Sequence, residues 1–277
     1  MNLRVMSWNA EGMFVEGSMT RRASPDDALA VLREVGADIV VVPEFGVFER
    51  MSEKTSSAIA ALGYTMEQFV YGDERGHGTG LAILSRLPIE SRQRIAMNEF
   101  KSALEVVVAR EHQNIRIIGV HLDDRTEAGR LAEAEQLVAH IGSRKPLPTL
   151  MMGDFNAMDG STFFARIARG ICGNIAGQIV RNEQLSSVVS RVREMALGTT
   201  IRYIESQTHL RNLDPKLRRT ISAKQRGLEW LPAIRLAKID WVFGSPEVAV
   251  KRYRVLRDVG SDHRPIVVDI EIAPSKE

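Results

Sequence analysis

The sequence predicts an α/β protein in which two mixed β-sheets pack on each other with helices outside. Apolar, β-rich runs alternate along the chain with helical patterns instead of being segregated at one end. Some of those runs, such as Ile39-Val40-Val41-Val42, are apolar at every position, while others alternate. A strand apolar on both faces needs cover on both faces, which two stacked sheets flanked by helices supply. No Gly-x-Gly-x-x-Gly opens a helix after a strand, and no Gly-x-x-x-x-Gly-Lys loop is present, so a single open nucleotide-binding sheet has no support.

The elements follow in order. Leu3 to Trp8 reads as a strand. Pro25 to Val35 reads as an amphipathic helix, with Ser24 as N-cap, Pro25 at the first helical position and Gly36 just past the end. Ile39–Val42 is a buried strand that stops at Pro43-Glu44, and Ser52 to Leu62 is a helix closed by Gly63. Tyr64 to Tyr71, Leu81 to Ser85, Ala103 to Arg110 and Ile115 to His121 read as strands, with Gly76, Gly78, Gly80, Pro88 and Asn114 in the connections. Leu131, Glu135, Val138 and Ile141 give Glu127 to Ser143 a helical period, and Leu147 to Met152 is the strand that leads into Asp154. Thr162 to Ile234 is mostly helical in pattern. Ile239 to Phe243, Val248 to Val255 and Pro265 to Ile272 return to strands.

Composition sets the outer bounds. A chain of 277 residues with 44% hydrophobic and 26% charged residues is long enough for one sizeable domain or two small ones. A single cysteine, Cys172, excludes an internal disulfide, and no uninterrupted apolar stretch has the length of a membrane span. A cytoplasmic, reducing location is therefore expected. The net charge of +2 is unevenly spread. Gly160 to Lys238 holds 14 basic and 5 acidic residues, a local charge of +9, which leaves −7 for the rest. Such asymmetry suits a polyanion held over an acidic site, and equally a solvated helical surface.

Function becomes readable in the polar residues that end the apolar runs. Asn9, Glu44, His121, Asp123, Asp154, Asn156, Asp240, Asp262 and His263 nearly all follow or border a strand-like run. Polar groups at the ends of buried strands gather on one rim, where α/β scaffolds build sites. Asp154 and Asn156 stand two apart on an extended segment and so point the same way. Oxygen donors outnumber nitrogen and sulfur donors, which selects a hard cation, Mg²⁺ or Mn²⁺, over zinc.

Seven segments then carry a family resemblance, in order and across nearly the whole chain. They are Ser7-Trp8-Asn9, Pro43-Glu44, Gly80 to Arg86, His121-Leu122-Asp123, Gly153-Asp154-Phe155-Asn156, Ile239-Asp240-Trp241-Val242 and Ser261 to Pro265. Together they resemble the endonuclease/exonuclease/phosphatase superfamily, which implies a four-layer α/β sandwich formed as one domain over residues 1–277. The segment from about 160 to 236 is then a basic helical insertion.

The resemblance also implies roles. Glu44 is the main metal carboxylate, with Asn9 and Asp262 completing the metal and phosphate shell. Asp154 orients and deprotonates the attacking water, and Asn156 donates to charge on a non-bridging oxygen. His263 contacts the scissile phosphate, with Asp240 fixing its other ring nitrogen. His121 matches the histidine of deoxyribonuclease I-like and sphingomyelinase-like members and assists the leaving oxygen.

Pro43-Glu44-Phe45-Gly46 departs from the Gln-Glu-x-Lys pattern of the family's abasic-site endonucleases. The expected reaction is metal-dependent phosphodiester hydrolysis, with DNA or RNA as partner through Arg218, Arg219, Lys224 and Arg226 of the basic segment. A small or lipid phosphate ester is the alternative substrate. A phosphate-binding module without catalysis is a further alternative, but its constellation would be broken, and here every core position is filled.

Overall fold

In a computed structural model, residues 1–16, 24–46, 50–72, 78–99, 101–110, 113–162, 165–170, 183–222, 237–257 and 259–273 are described. The first sheet contains β1 (Asn2–Ser7), β2 (Ile39–Val42), β3 (Thr65–Gly72), β4 (Gly78–Ser85), β11 (Val248–Val255) and β12 (Ile266–Ile272), in the order β11-β12-β1-β2-β4-β3. The second contains β5 (Ile89–Ala96), β6 (Ser102–Arg110), β7 (Gln113–His121), β8 (Thr149–Asp154), β9 (Arg211–Asn212) and β10 (Asp240–Gly244), in the order β5-β6-β7-β8-β10-β9. Among the described residues the helices are α1 (Pro25–Val35), α2 (Glu53–Ala61), α3 (Glu127–Ser143), α4 (Glu183–Met195) and α5 (Thr199–Gln207), with further helical residues at 165–170.

The fully apolar strands are explained by where their two faces go. Val5, Ile39, Val41, Ile83, Val106, Ile117, Leu150, Met152, Val242 and Val268 form the seam between the sheets. Their immediate neighbours Met6, Val40, Val42 and Leu84 face the opposite way, against Leu29 and Leu32 of α1. In the second sheet Ile118, Val120, Met151, Trp241 and Phe243 likewise turn outward, onto Leu137 and Ile141 of α3 and Ile201 and Ile204 of α5. Period-two alternation thus splits each central strand between an inner and an outer core, and the result is a helix–sheet–sheet–helix sandwich. Gly119 sits in a tight part of the seam, since a Cβ there would lie 3.0 Å from Val41 Cγ1 of the other sheet.

The helix ends were legible. Ser24 caps α1 in a reciprocal box with Asp27, Pro25 opens it, and Gly36 closes it in the left-handed region. Several strand limits differ from expectation. β4 begins at Gly78 and contains Gly80, Asn114 lies inside β7, and β8 runs from Thr149 through Asp154. β5 gives no apolar signal because it is an edge strand exposed at most of its positions. β9 is two residues long and cannot show a period.

The segment expected as a helical insertion contributes α4, α5, the helical residues 165–170 and edge strand β9. It is therefore woven into the outer layer, with Ile201 and Ile204 of α5 in the α3 core. Lys224 and Arg226 lie outside the described residues. Among the described residues, no helix is long and apolar enough to cross a membrane.

Candidate active site

Strand direction gathers the polar residues on one edge of the sandwich. β1 and β2 run parallel, as do β7 and β8, so Asn9, Glu44, His121 and Asp154 all leave from C-terminal strand ends. β10 runs antiparallel to β8 and β12 antiparallel to β1, so Asp240 and the Asp262-His263 pair enter at N-terminal strand ends on that same edge. Register completes the placement: Asp154 is the lateral partner of His121 on one side and of Asp240 on the other.

Asp154 is the hub. It is 1% exposed. Its Oδ1 accepts the Asn156 N–H at 2.8 Å and its Oδ2 accepts Asn9 Nδ2–H at 3.0 Å. His263 Nε2 stands 3.6 Å from Oδ2, and His121 Nε2 stands 3.8 Å from it. His263 Nδ1 faces both oxygens of Asp240 at 3.0 Å, the arrangement expected of a carboxylate that fixes an imidazole. Thr220 Oγ1 accepts the N–H groups of Ile239 and Asp240, both at 3.2 Å, and so secures the start of β10.

Glu44 stands across the centre, with Oε1 accepting Asn9 Nδ2–H at 3.0 Å and lying 3.7 Å from His121 Nε2. Asn9 therefore presents its amide nitrogen between two carboxylates, while its Oδ1 accepts the Glu11 N–H at 3.1 Å. Asn156 spends one amide hydrogen on the Leu122 carbonyl at 3.1 Å, which leaves the second for another acceptor.

Local backbone is strained in support of this geometry. Gly153 has a φ of 148°, and a Cβ there would lie 2.0 Å from the Val120 carbonyl oxygen, so only glycine delivers Asp154 to this position. Glu11, Glu44 and Asn156 have φ values of 46°, 50° and 49°. Left-handed backbone at a glutamate costs on the order of 1 kcal/mol or more, and such strain concentrates at functional sites.

Glu11 is the site residue that sequence reading missed. Its Oε2 accepts the Asp262 N–H at 3.0 Å, tying the end of β1 to the start of β12. Ser261 Oγ donates to the Asn9 carbonyl at 2.8 Å, and Trp8 Nε1–H donates to the His263 carbonyl at 3.2 Å, so three bonds fasten the two segments together. The signal was present, because Glu11 stands two residues after Asn9 just as Asn156 stands two after Asp154.

Electrostatics follow from burial. Desolvation, reinforced by Asp262 and Glu44, pushes the Glu11 carboxyl up to about 7. Desolvation also raises Glu44, and it pushes Asp154 up to about 7 against the opposing pull of His263. Burial alone would lower His263, but Asp240, Asp154 and Asp262 outweigh it and hold the imidazole well above its ordinary value. His121 lacks that compensation: burial, then Lys101 and His263, drive it well below 6.5, so its ring is neutral.

Crowded carboxylates that resist ionisation call for a cation. Glu44, His121 and Asp154 offer donor atoms within 4.8 Å of one another, as do Asp154, Asp240 and His263. Asp262 Oδ1 is buried and, among the described residues, accepts no hydrogen bond, with His263 Nε2 3.8 Å away. An oxygen-rich donor set with a buried carboxylate oxygen that accepts no hydrogen bond among the described residues fits a hard divalent ion.

Arg218 and Arg219 are placed differently from the rest. Both belong to the 213–222 segment, whose Ser222 N–H donates to the Asp262 carbonyl at 2.9 Å. Arg218 pairs with the fully buried Asp214 and lies over the Tyr253 ring, 5.2 Å from its centroid. Asp214 in turn stands 3.5 Å from the buried Lys238 Nζ. Arg219 is exposed.

The chain belongs to the endonuclease/exonuclease/phosphatase family, whose pattern it matches over residues 6–263. Members of that family are phosphoester hydrolases, in general dependent on a divalent metal. No curated protein matches the sequence. Among solved structures, an endonuclease/exonuclease/phosphatase from Beutenbergia cavernae is similar with a TM-score of 0.64 at 18% identity, over 98% of this chain and 72% of that one. A mannosyl-6-phosphatase from Bacteroides thetaiotaomicron is similar with a TM-score of 0.63 at 17% identity, over 98% of this chain and all of that one. The catalytic domain of human Nocturnin, solved with a sulfate anion, gives 0.63 at 15% identity, over 98% and 95%. At these identities the likeness is one of fold.

Proposed function

We propose that this chain hydrolyses phosphodiester bonds, with a nucleic acid as the first substrate class and Mg²⁺ or Mn²⁺ as cofactor. The observation that carries the reading is the position of Asp154, a buried carboxylate within 3.8 Å of two imidazoles and bonded to Asn9 and Asn156. Glu44 and Asp262, with Asn9 beside them, would hold the cation, which when bound neutralises the acidic cluster and polarises a phosphoryl oxygen.

Asp154 orients a water and takes its proton, a role that suits a carboxyl drawn up to about 7. His263, held cationic by Asp240, and the remaining amide hydrogen of Asn156 stabilise charge on the non-bridging oxygens. His121, neutral and on the far side of Asp154, hydrogen-bonds the leaving oxygen as it departs.

A small phosphate ester is the second reading, and one observation favours it. Arg218, expected to grip a polymer backbone, is committed to Asp214 and Tyr253, which removes one of the two expected polymer contacts. The test is turnover of plasmid DNA, RNA, bis(p-nitrophenyl) phosphate and a sugar 6-phosphate with Mg²⁺ and Mn²⁺, using wild type and Arg219→Glu. Nuclease function requires cleavage of DNA or RNA and a lowered polymer-to-diester activity ratio in the variant. Hydrolysis of the sugar phosphate alone would overturn the nuclease reading.

A further inference from the structure

The tip of the β5–β6 hairpin leans on the rim of this site and is fastened there. Within the tip, the Lys101 carbonyl accepts the N–H groups of Met97 at 3.0 Å and Asn98 at 3.2 Å, and the Lys101 N–H donates to Asn98 Oδ1 at 2.7 Å. Asn98 Nδ2–H donates to Glu133 Oε1 of α3 at 2.6 Å, and Glu133 Oε2 accepts the Asp123 N–H at 2.7 Å. The backbone that carries Lys101 is therefore tied to the segment that follows His121.

From that anchored position Lys101 Nζ donates to the Leu122 carbonyl at 3.0 Å, the same oxygen that accepts Asn156 Nδ2–H. The ammonium is half-buried, one shared acceptor away from Asn156 and close enough to His121 for its charge to act on the ring. Its charge also acts on the Glu133 carboxyl, yet among the described residues no carboxylate lies at ion-pair distance from it. An ammonium has three donors, and a neutral carbonyl uses one. Partial burial of a charge without an ion pair is unfavourable unless an anion also uses it.

We infer that Lys101 binds a second phosphate of the substrate, one carried by the leaving group on the His121 side, as in a polynucleotide strand or a nucleoside bisphosphate. The inference rests on the phosphodiesterase reading for which side is the leaving side. It also supplies a polyanion contact that Arg218, paired with Asp214, does not.

Two measurements on the full chain test it. In the first, wild type, Lys101→Ala and Lys101→Arg are titrated, with Ca²⁺ present, with a nucleoside 3′,5′-bisphosphate and with the matching 5′-monophosphate. Wild type should bind the bisphosphate about tenfold more tightly, the scale of one charge-assisted hydrogen bond. That preference should fall to about one in Lys101→Ala and persist in Lys101→Arg.

Equal affinities in wild type, no binding of either ligand, or a preference that survives in Lys101→Ala would each overturn the inference. A loss of equal size on both ligands would make Lys101 a hairpin staple only, and would overturn it too. In the second measurement, kcat/KM is compared for a dinucleotide with and without a 3′-terminal phosphate. A Lys101-dependent preference there extends the subsite to catalysis. If the binding preference stands while neither dinucleotide is cleaved, the phosphodiesterase reading fails and the phosphate subsite remains.

Discussion

Replacing Asp154 with Asn keeps the shape of the hub and removes its charge, which separates its proposed chemistry from its place in the fold. Its carboxyl moves from 3.8 to about 7 on folding, roughly three units. At about 1.4 kcal/mol per unit, the ionised group costs the metal-free protein on the order of 4 kcal/mol. The sign follows from the raised value. The native state binds the extra proton between those two pH values, so metal-free stability declines as pH rises from 3.8 to about 7 and is flat above.

The amide escapes that cost but sets an N–H against Asn9 Nδ2, 3.0 Å away, a mismatch worth about 1–3 kcal/mol. Metal-free Asp154→Asn should therefore be more stable than wild type at pH 8, by a few kcal/mol at most, and lose that advantage at pH 4. Turnover of a chromogenic diester with Mn²⁺ should fall by about 10²–10⁴, the usual contribution of a positioned base. Denaturant melts at the two pH values and initial rates supply both readouts. Turnover within twofold of wild type would refute the base assignment, and an identical stability difference at pH 4 and pH 8 would refute the electrostatic one.

Asp240→Asn should lower the His263 pKa, because Asp240 is the largest of the three carboxylates' influences that outweigh burial. With a folded value above 6.5, the stability this histidine contributes is complete at low pH and lost as pH rises through the folded value, so that loss should move to lower pH in the variant. An unchanged imidazole titration by NMR would count against the pairing. Glu44→Gln should weaken Mn²⁺ binding by tenfold or more in calorimetry, and equal affinities would remove Glu44 from the metal shell.

The strand ends were readable because their neighbours leave no choice. Four apolar residues before Pro43-Glu44, or three before Gly153-Asp154, place the polar group at the end of a buried strand. β5 and β9 were not readable, since an exposed edge strand and a two-residue strand lack a hydrophobic period. The basic run around Arg218 points to a nucleic-acid contact, but the sequence does not show that Asp214 is buried beside it and takes its charge.

The sequence by itself determined the fold class, the helix caps and the polar positions bordering the central strands, because backbone period and residue chemistry are local properties. Only the tertiary structure decided that parallel and antiparallel strands deliver those positions to one edge, and that Glu11 latches the Asp262 loop. It also decided that two buried histidines facing the same Asp154 carboxylate carry opposite pKa shifts. Burial lowers both rings, and only the arrangement of Asp240, Asp154 and Asp262 around His263 reverses the sign there.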